Sequence, residues 1–149
     1  MRKNTAVPHS NNSERCILAT LLQQNQAWEK AKVLTEDDFY LDSHQRIFAC
    51  IRSRLSIGRP IDLVLAMDAM KRQKELDKVG GLHYLASLDD LLPRNFDIGA
   101  HVAVLQEKAQ LRRLMAIFYN ALLDTENEAP AAQVMASVKE KLSEIESSI

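Results

Sequence analysis

The sequence predicts an all-α fold, a compact orthogonal helical bundle followed by a long antiparallel αα-hairpin, and three observations carry that expectation. Only 4 Gly and 4 Pro occur in 149 residues and only 5% are aromatic, too few turn and strand formers for a sandwich, barrel or Rossmann sheet. Apolar residues recur at spacings of three and four in one segment after another. The last third repeats this pattern through two segments separated by a single short break. With 46% apolar and 26% charged residues, the length fits one soluble domain rather than two.

Ile17, Leu18, Leu21 and Leu22 form the stripe of a first helix over about 12–23, with Asn11 and Glu14 spaced as a capping box. A short helix follows through Trp28 and Ala31. Thr35 is placed to cap a turn over Glu36, Asp37 and Asp38, whose charges suit the positive end of a helix dipole. Ser43 is the expected cap of the next helix. Its Ile47, Phe48, Ile51 and Leu55 share one face, and Gly58 followed by Pro60 stops it. Asp62 caps a helix through Leu63, Val64, Met67 and Met70.

Val79-Gly80-Gly81-Leu82 reads as a turn into a helix carrying Leu82, Leu85 and Leu88, closed at Pro93. From about Asn95 a long helix runs to a break between Asp124 and Pro130, and a last helix follows with Pro130 in its first turn. Ala131, Met135, Val138, Leu142, Ile145 and Ile149 make a coiled-coil-like seam, which Leu111, Met115, Phe118 and Leu122 repeat in the preceding helix. The short connection makes the two seams antiparallel neighbours. Val102, Leu105, Leu114 and Val134 lie off the seams and call for cover from the bundle or from another copy of the chain. The expected organisation is a flexible arm (1–10), a helical bundle (11–94) and a C-terminal hairpin of the same domain (95–149).

Nineteen Lys and Arg against 20 Asp and Glu leave a net charge of -1, without the basic footprint of phosphate-backbone binding. One local run departs from this balance. Arg46, Arg52, Arg54 and Arg59 have no acidic residue among them, which reads first as a solvated helix edge and second as a weak candidate for nucleic-acid contact. Cys16 and Cys50, not spaced as CxxC, read as small buried hydrophobes of a reducing compartment, the cytoplasm. No apolar run approaches the roughly 18 residues of a membrane span.

No catalytic constellation stands out. A GxxxxGK motif followed by Ser or Thr is absent, and Gly80-Gly81 lacks the lysine and later glycine of a phosphate cradle. His9, His44, His83 and His101 are scattered without metal-ligand spacing. Asp37-Asp38 and Asp89-Asp90 are adjacent carboxylates that point about 100° apart on a helix, which disfavours a shared acid/base or two-metal role. Catalytic, cofactor and metal residues are therefore expected to be none.

Several short motifs occur in order: Pro8-His9-Ser10 with Glu14 and Ile17-Leu18; Glu36-Asp37-Asp38-Phe39-Tyr40; His44-Gln45-Arg46-Ile47-Phe48; Gly58-Arg59-Pro60-Ile61-Asp62-Leu63-Val64; Val79-Gly80-Gly81-Leu82 with Tyr84-Leu85; and Glu107-Lys108-Ala109 with Leu111-Arg112-Arg113-Leu114. Each is weak alone. Their order and spacing over nearly the whole chain resemble the N-terminal domain of bacterial replicative DNA helicases of the DnaB family. Ala19 departs from that pattern where glycine is common, and His101 where an aromatic residue is common.

The resemblance implies a non-catalytic collar domain of a ring helicase in DNA replication, mediating subunit pairing as dimers, a trimer of dimers in the hexamer, and recruiting primase through its C-terminal domain. The chain ends about where the linker to a motor domain would begin. ATP and Mg would belong to that absent motor domain, a further partner, and contact with DNA would be weak or indirect. Candidate partner-binding residues are Tyr84, Leu111, Met115, Phe118 and Leu122, for each of which plain core packing is the competing reading. The alternative function is a free-standing helicase-binding adaptor or antagonist sharing the collar fold.

Overall fold

The computed structural model describes residues 6–90 and 97–148, apart from the side chain of Asp89. The expected break at Pro93, the helix start near Asn95 and the seam's last member, Ile149, lie outside the described residues, as does the Asp89 carboxylate. Among the described residues all regular structure is helical: α1 (Asn11–Gln23), α2 (Trp28–Ala31), α3 (Asp42–Leu55), α4 (Leu63–Arg72), α5 (Gly81–Asp89), α6 (Gly99–Glu126) and α7 (Ala131–Ser147), with 3-10 turns at Asn25–Ala27, Glu36–Asp38 and Asp77–Val79. The chain forms two compact units, one over 9–107 and one that joins 108–149 to the segment up to Pro8.

In the first unit α1 packs against α3 and α5, and α4 against α3 and α5. Each helix contributes its apolar stripe to one core: Ile17, Leu18 and Leu21 from α1, Ile47, Phe48 and Ile51 from α3, Ala66 and Met70 from α4, Leu85 and Leu88 from α5. Phe39 and Phe48 meet at the centre, their rings 4.7 Å apart, and Trp28 reaches Phe48 at 6.2 Å. Tyr40, next in sequence to Phe39, is exposed and stacks on His9 at 4.5 Å. Leu82, in the first turn of α5, is likewise exposed, while Leu85 and Leu88 are buried. Ile98, Val102 and Leu105, in and just before the start of α6, enter the same core. Their burial carries the bundle through Glu107, further than the boundary at 94/95 expected from the breakers.

The helix ends show which side chains satisfy the orphan amides. Asp62 caps α4, accepting from the Leu65 N–H at 2.8 Å. Thr35 and Asp38 make the reciprocal capping box of the acidic turn, the Thr35 N–H donating to Asp38 Oδ2 at 2.8 Å. Two caps differ from expectation. Helix α1 is capped by Ser10, which accepts from the Ser13 N–H at 3.3 Å, instead of by Asn11 with Glu14. Counting from Ser10, Glu14 falls beyond the capping position and onto the buried stripe of Ile17, Leu18 and Leu21. Helix α3 begins at Asp42 after Leu41, one turn position ahead of Ser43, and has no side-chain cap.

The second unit is built on α6 from Lys108 onward and α7. Glu128 takes the left-handed conformation (φ 57°), so that the Ala129 N–H reaches the Asp124 carbonyl at 3.0 Å and the Glu128 N–H that of Thr125 at 3.1 Å. This Schellman closure ends α6, and Pro130 begins α7. Val134, Val138, Leu142 and Ile145 are half-buried along one face of α7, while Met135, assigned to the seam, is exposed. The Arg112 guanidinium donates to the Pro8 carbonyl at 2.9 Å. The described end of the N-terminal arm is therefore held by a hydrogen bond.

Candidate functional site

The hairpin unit presents its apolar residues to solvent. Leu111, Met115, Phe118 and Leu122 recur at spacings of four, three and four on α6, which puts them on one side of the helix, and their exposures lie between 36% and 56%. Tyr119 and Leu123 widen the stripe and are exposed as well, and Met135 adds an exposed apolar group on α7. Ala109 and Ile117 occupy the opposite, buried side. A run of large apolar side chains at this exposure costs hydration free energy in a monomer, of order 25 cal/mol per Å². All four hairpin residues singled out from the sequence belong to this face. Arg112 and Arg113, between them in sequence, are half-buried.

Tyr84 stands elsewhere, in the bundle unit. Its hydroxyl is 2.5 Å from His44 Nε2, and the other ring nitrogen of His44, Nδ1, is hydrogen-bonded to Glu14 Oε2. The second carboxylate oxygen of Glu14 accepts from the Tyr40 N–H at 2.5 Å. Glu14 and His44 are fully buried, and the ring of Tyr84 lies over His44 with centroids 5.9 Å apart. Burial pushes the Tyr84 phenol above its ordinary value, against the opposing pull of Arg15. The phenol therefore keeps its proton at neutral pH, and both ring nitrogens of His44 are engaged, Nε2 by the Tyr84 hydroxyl and Nδ1 by the Glu14 carboxyl group. This network ties α1, α3 and α5 together. It uses the Tyr84 hydroxyl within the bundle.

Gly80 secures the approach of Tyr84. It has φ 95°, and a Cβ there would sit 2.9 Å from the Tyr84 Cβ, an atom that cannot move without its helix. Gly80→Ala should cost about 2–4 kcal/mol, combining left-handed backbone strain with overpacking. Urea unfolding followed by circular dichroism measures it, and a loss below about 0.5 kcal/mol would contradict the close approach.

The arginine run is mostly engaged inside the bundle. Arg46 pairs with Asp42 at 2.7 Å and with Glu75, and Arg52 pairs with Glu36 at 2.7 Å. The guanidinium of Arg46 holds the Glu75 carboxyl below its ordinary value. Arg54 Nε donates to the Pro60 carbonyl at 2.9 Å. Neither Arg54 nor Arg59 has a carboxylate partner among the described residues, and Arg59 projects from the turn after α3. The sequence could not show these pairings because Glu36 and Glu75 lie 16 and 29 residues from their partners.

Cys50 is buried and Cys16 half-buried, both free, and burial pushes both thiols up, away from the reactive thiolate. His101, at a departure from the family pattern, is hydrogen-bonded through Nδ1 to the Ser13 hydroxyl at 2.9 Å. Among the described residues no three His, Cys, Asp or Glu side chains gather where an ion could be held, and no helix is long and apolar enough to cross a membrane.

The family described as DnaB-like helicase N terminal domain matches residues 6–107. The chain is similar to the replicative DNA helicase DnaB of Haemophilus influenzae, 34% identical over 111 residues that make up 74% of this chain and 24% of that protein. It is similar also to the replicative DNA helicase DnaB of Geobacillus stearothermophilus, 30% identical over 72% of this chain and 24% of the relative. It therefore spans about a quarter of the length of these relatives. Among solved structures, the N-terminal domain of DnaB helicase from Mycobacterium tuberculosis is similar at a TM-score of 0.84 and 25% identity, covering 92% of this chain and 99% of that one. A DnaB-like replicative helicase, described with its interactions with primase, shares the fold at a TM-score of 0.75 and 19% identity, over 94% of this chain and 32% of that one. With its motifs, its helical bundle and these relatives in agreement, the chain belongs to the DnaB-like helicase N-terminal domain family.

Proposed function

We propose that this domain has no catalytic role of its own and acts in DNA replication as the collar of a replicative helicase, pairing with further copies and recruiting primase. The observation that carries the reading is the exposed apolar face of Leu111, Met115, Phe118 and Leu122 on α6. Two copies pairing through this face would bury it by an isologous contact, the commonest solution for homo-oligomers. Three such pairs would make the collar of a hexamer. The structural relative described with its interactions with primase supports primase as the second partner, and the family resemblance points to the C-terminal helical domain of primase as the part engaged.

In this role the domain works by tethering. Holding primase at the helicase raises its local concentration beside unwound DNA and needs no reacting group. ATP and Mg act in the motor domain of the full-length helicase, and contact of this domain with DNA is weak or indirect. Light scattering across a concentration series tests pairing, and calorimetric titration with the cognate primase C-terminal domain tests recruitment. The expected results are a concentration-dependent dimer and saturable binding. A strict monomer at high concentration would remove the first half of the proposal, and the absence of primase binding the second.

A further inference from the structure

A groove of about 300 Å³ opens on the bundle unit between the end of α1 and the turn that follows α3, lined by Asn25, Trp28, Leu55, Gly58, Arg59 and Pro60 among others. Its walls are held in place. The Asn25 side-chain amide donates to the Leu21 and Ile61 carbonyls at 2.9 and 2.7 Å and accepts from the Ile61 N–H at 3.1 Å, fastening the turn to the end of α1. Arg54 fastens the same turn from the other side through the Pro60 carbonyl at 2.9 Å. Gly58, at φ 72°, closes the α3 terminus, the Arg59 N–H returning to the Arg54 carbonyl at 3.0 Å. A concave site braced in this way loses little entropy when it is filled.

The floor and rim differ in chemistry. Trp28, Leu55 and Pro60 offer apolar surface, and Trp28 is backed by Phe48 at 6.2 Å. At the rim the Arg59 guanidinium has no carboxylate partner among the described residues, while Glu29, the acidic member of the lining, is neutralised by Lys32 at 2.6 Å. The exposed Ile57 extends the apolar surface along the turn. Apolar floor and unpaired cation together complement a large apolar side chain next to a carboxylate.

We infer that this groove is a docking site for a partner protein's extended acidic–apolar peptide segment, an apolar side chain seated on Trp28 and Leu55 and a carboxylate on Arg59. The groove is separate from the α6 face, so the inference stands or falls independently of the proposed pairing. A single strand of nucleic acid would also use an aromatic face and a cation, but Arg59 is the one basic residue of the lining, which suits a single carboxylate and not a run of phosphates.

Trp28 is the sole tryptophan of the chain, so its emission reports occupancy directly. Peptides selected from a random library on the intact chain should share a large apolar residue beside Asp or Glu. They should shift Trp28 emission saturably and bind at least about tenfold more weakly to Arg59→Glu, since the substitution turns a charge-assisted hydrogen bond into repulsion. Arg59 is exposed on a turn, and an unchanged circular dichroism spectrum confirms that the variant is folded. Failure to select any peptide that shifts Trp28 emission, a consensus without carboxylates, or equal binding by the variant would overturn the inference. So would tighter binding of oligothymidylate than of the peptides, which would make the groove a nucleic-acid site.

Discussion

Replacing Glu14 by Ala should destabilise the bundle by about 3–5 kcal/mol, a large part of the 5–15 kcal/mol that domains of this size possess. The carboxylate accepts from the Tyr40 N–H and pairs with the fully buried His44 at Nδ1, so its removal leaves both groups without that partner, His44 inside the core, and a cavity between α1 and α3. Glu14→Gln retains an acceptor and should cost less, about 1–3 kcal/mol. Tyr84→Phe removes the far end of the network at the half-buried rim and should cost about 1–2 kcal/mol. The joint substitution Glu14→Leu with His44→Leu should be less harmful than the sum of its parts, because neither polar group is then abandoned. Urea unfolding of these variants, together with the single substitutions Glu14→Leu and His44→Leu, measures the set, and a loss under about 1 kcal/mol for Glu14→Ala would refute the account.

The second large effect concerns association. Phe118→Asp combined with Leu122→Asp places two carboxylates on the exposed α6 face and should weaken self-association by about two to three decades in Kd, taking about 2 kcal/mol for each large apolar side chain removed from the interface. Both side chains are exposed, so the unfolding free energy at low concentration, read by urea unfolding, should change little, within about 0.5 kcal/mol. Sedimentation velocity separates these readouts. An unchanged dimer constant would move the pairing surface away from α6, and a loss of stability without a loss of pairing would mean that the face is covered within the monomer.

The Glu14 network also shows how far a stripe can be read. Glu14 stands three residues before Ile17, and His44 three residues before Ile47, so each polar residue lies on the same face as the apolar residues that follow it. Two ionisable groups on two buried stripes are the signature of an internal pair. The capping-box spacing of Asn11 and Glu14 offered a local use for the same carboxylate. Ser10, one residue earlier, took the cap and left Glu14 facing inward. The hairpin residues were legible for the opposite reason. Their spacing on one helix already defines a shared face.

What the sequence determined by itself is local: the helical class from the scarcity of Gly, Pro and aromatic residues, the helix faces from spacings of three and four, the caps at Asp62 and Thr35, and the breaks at Gly58 and between Asp124 and Pro130. These depend on residues within a few positions of one another, where backbone geometry leaves few alternatives. Only the tertiary structure decided which faces meet. It joined His44 to Glu14 and to Tyr84 across 30 and 40 residues, paired Arg52 with Glu36, carried the core into α6 as far as Leu105, and left the α6 face beyond Lys108 open. Pairings at that separation are settled by close packing and by the cost of an unsatisfied buried polar group, which no short window of sequence contains.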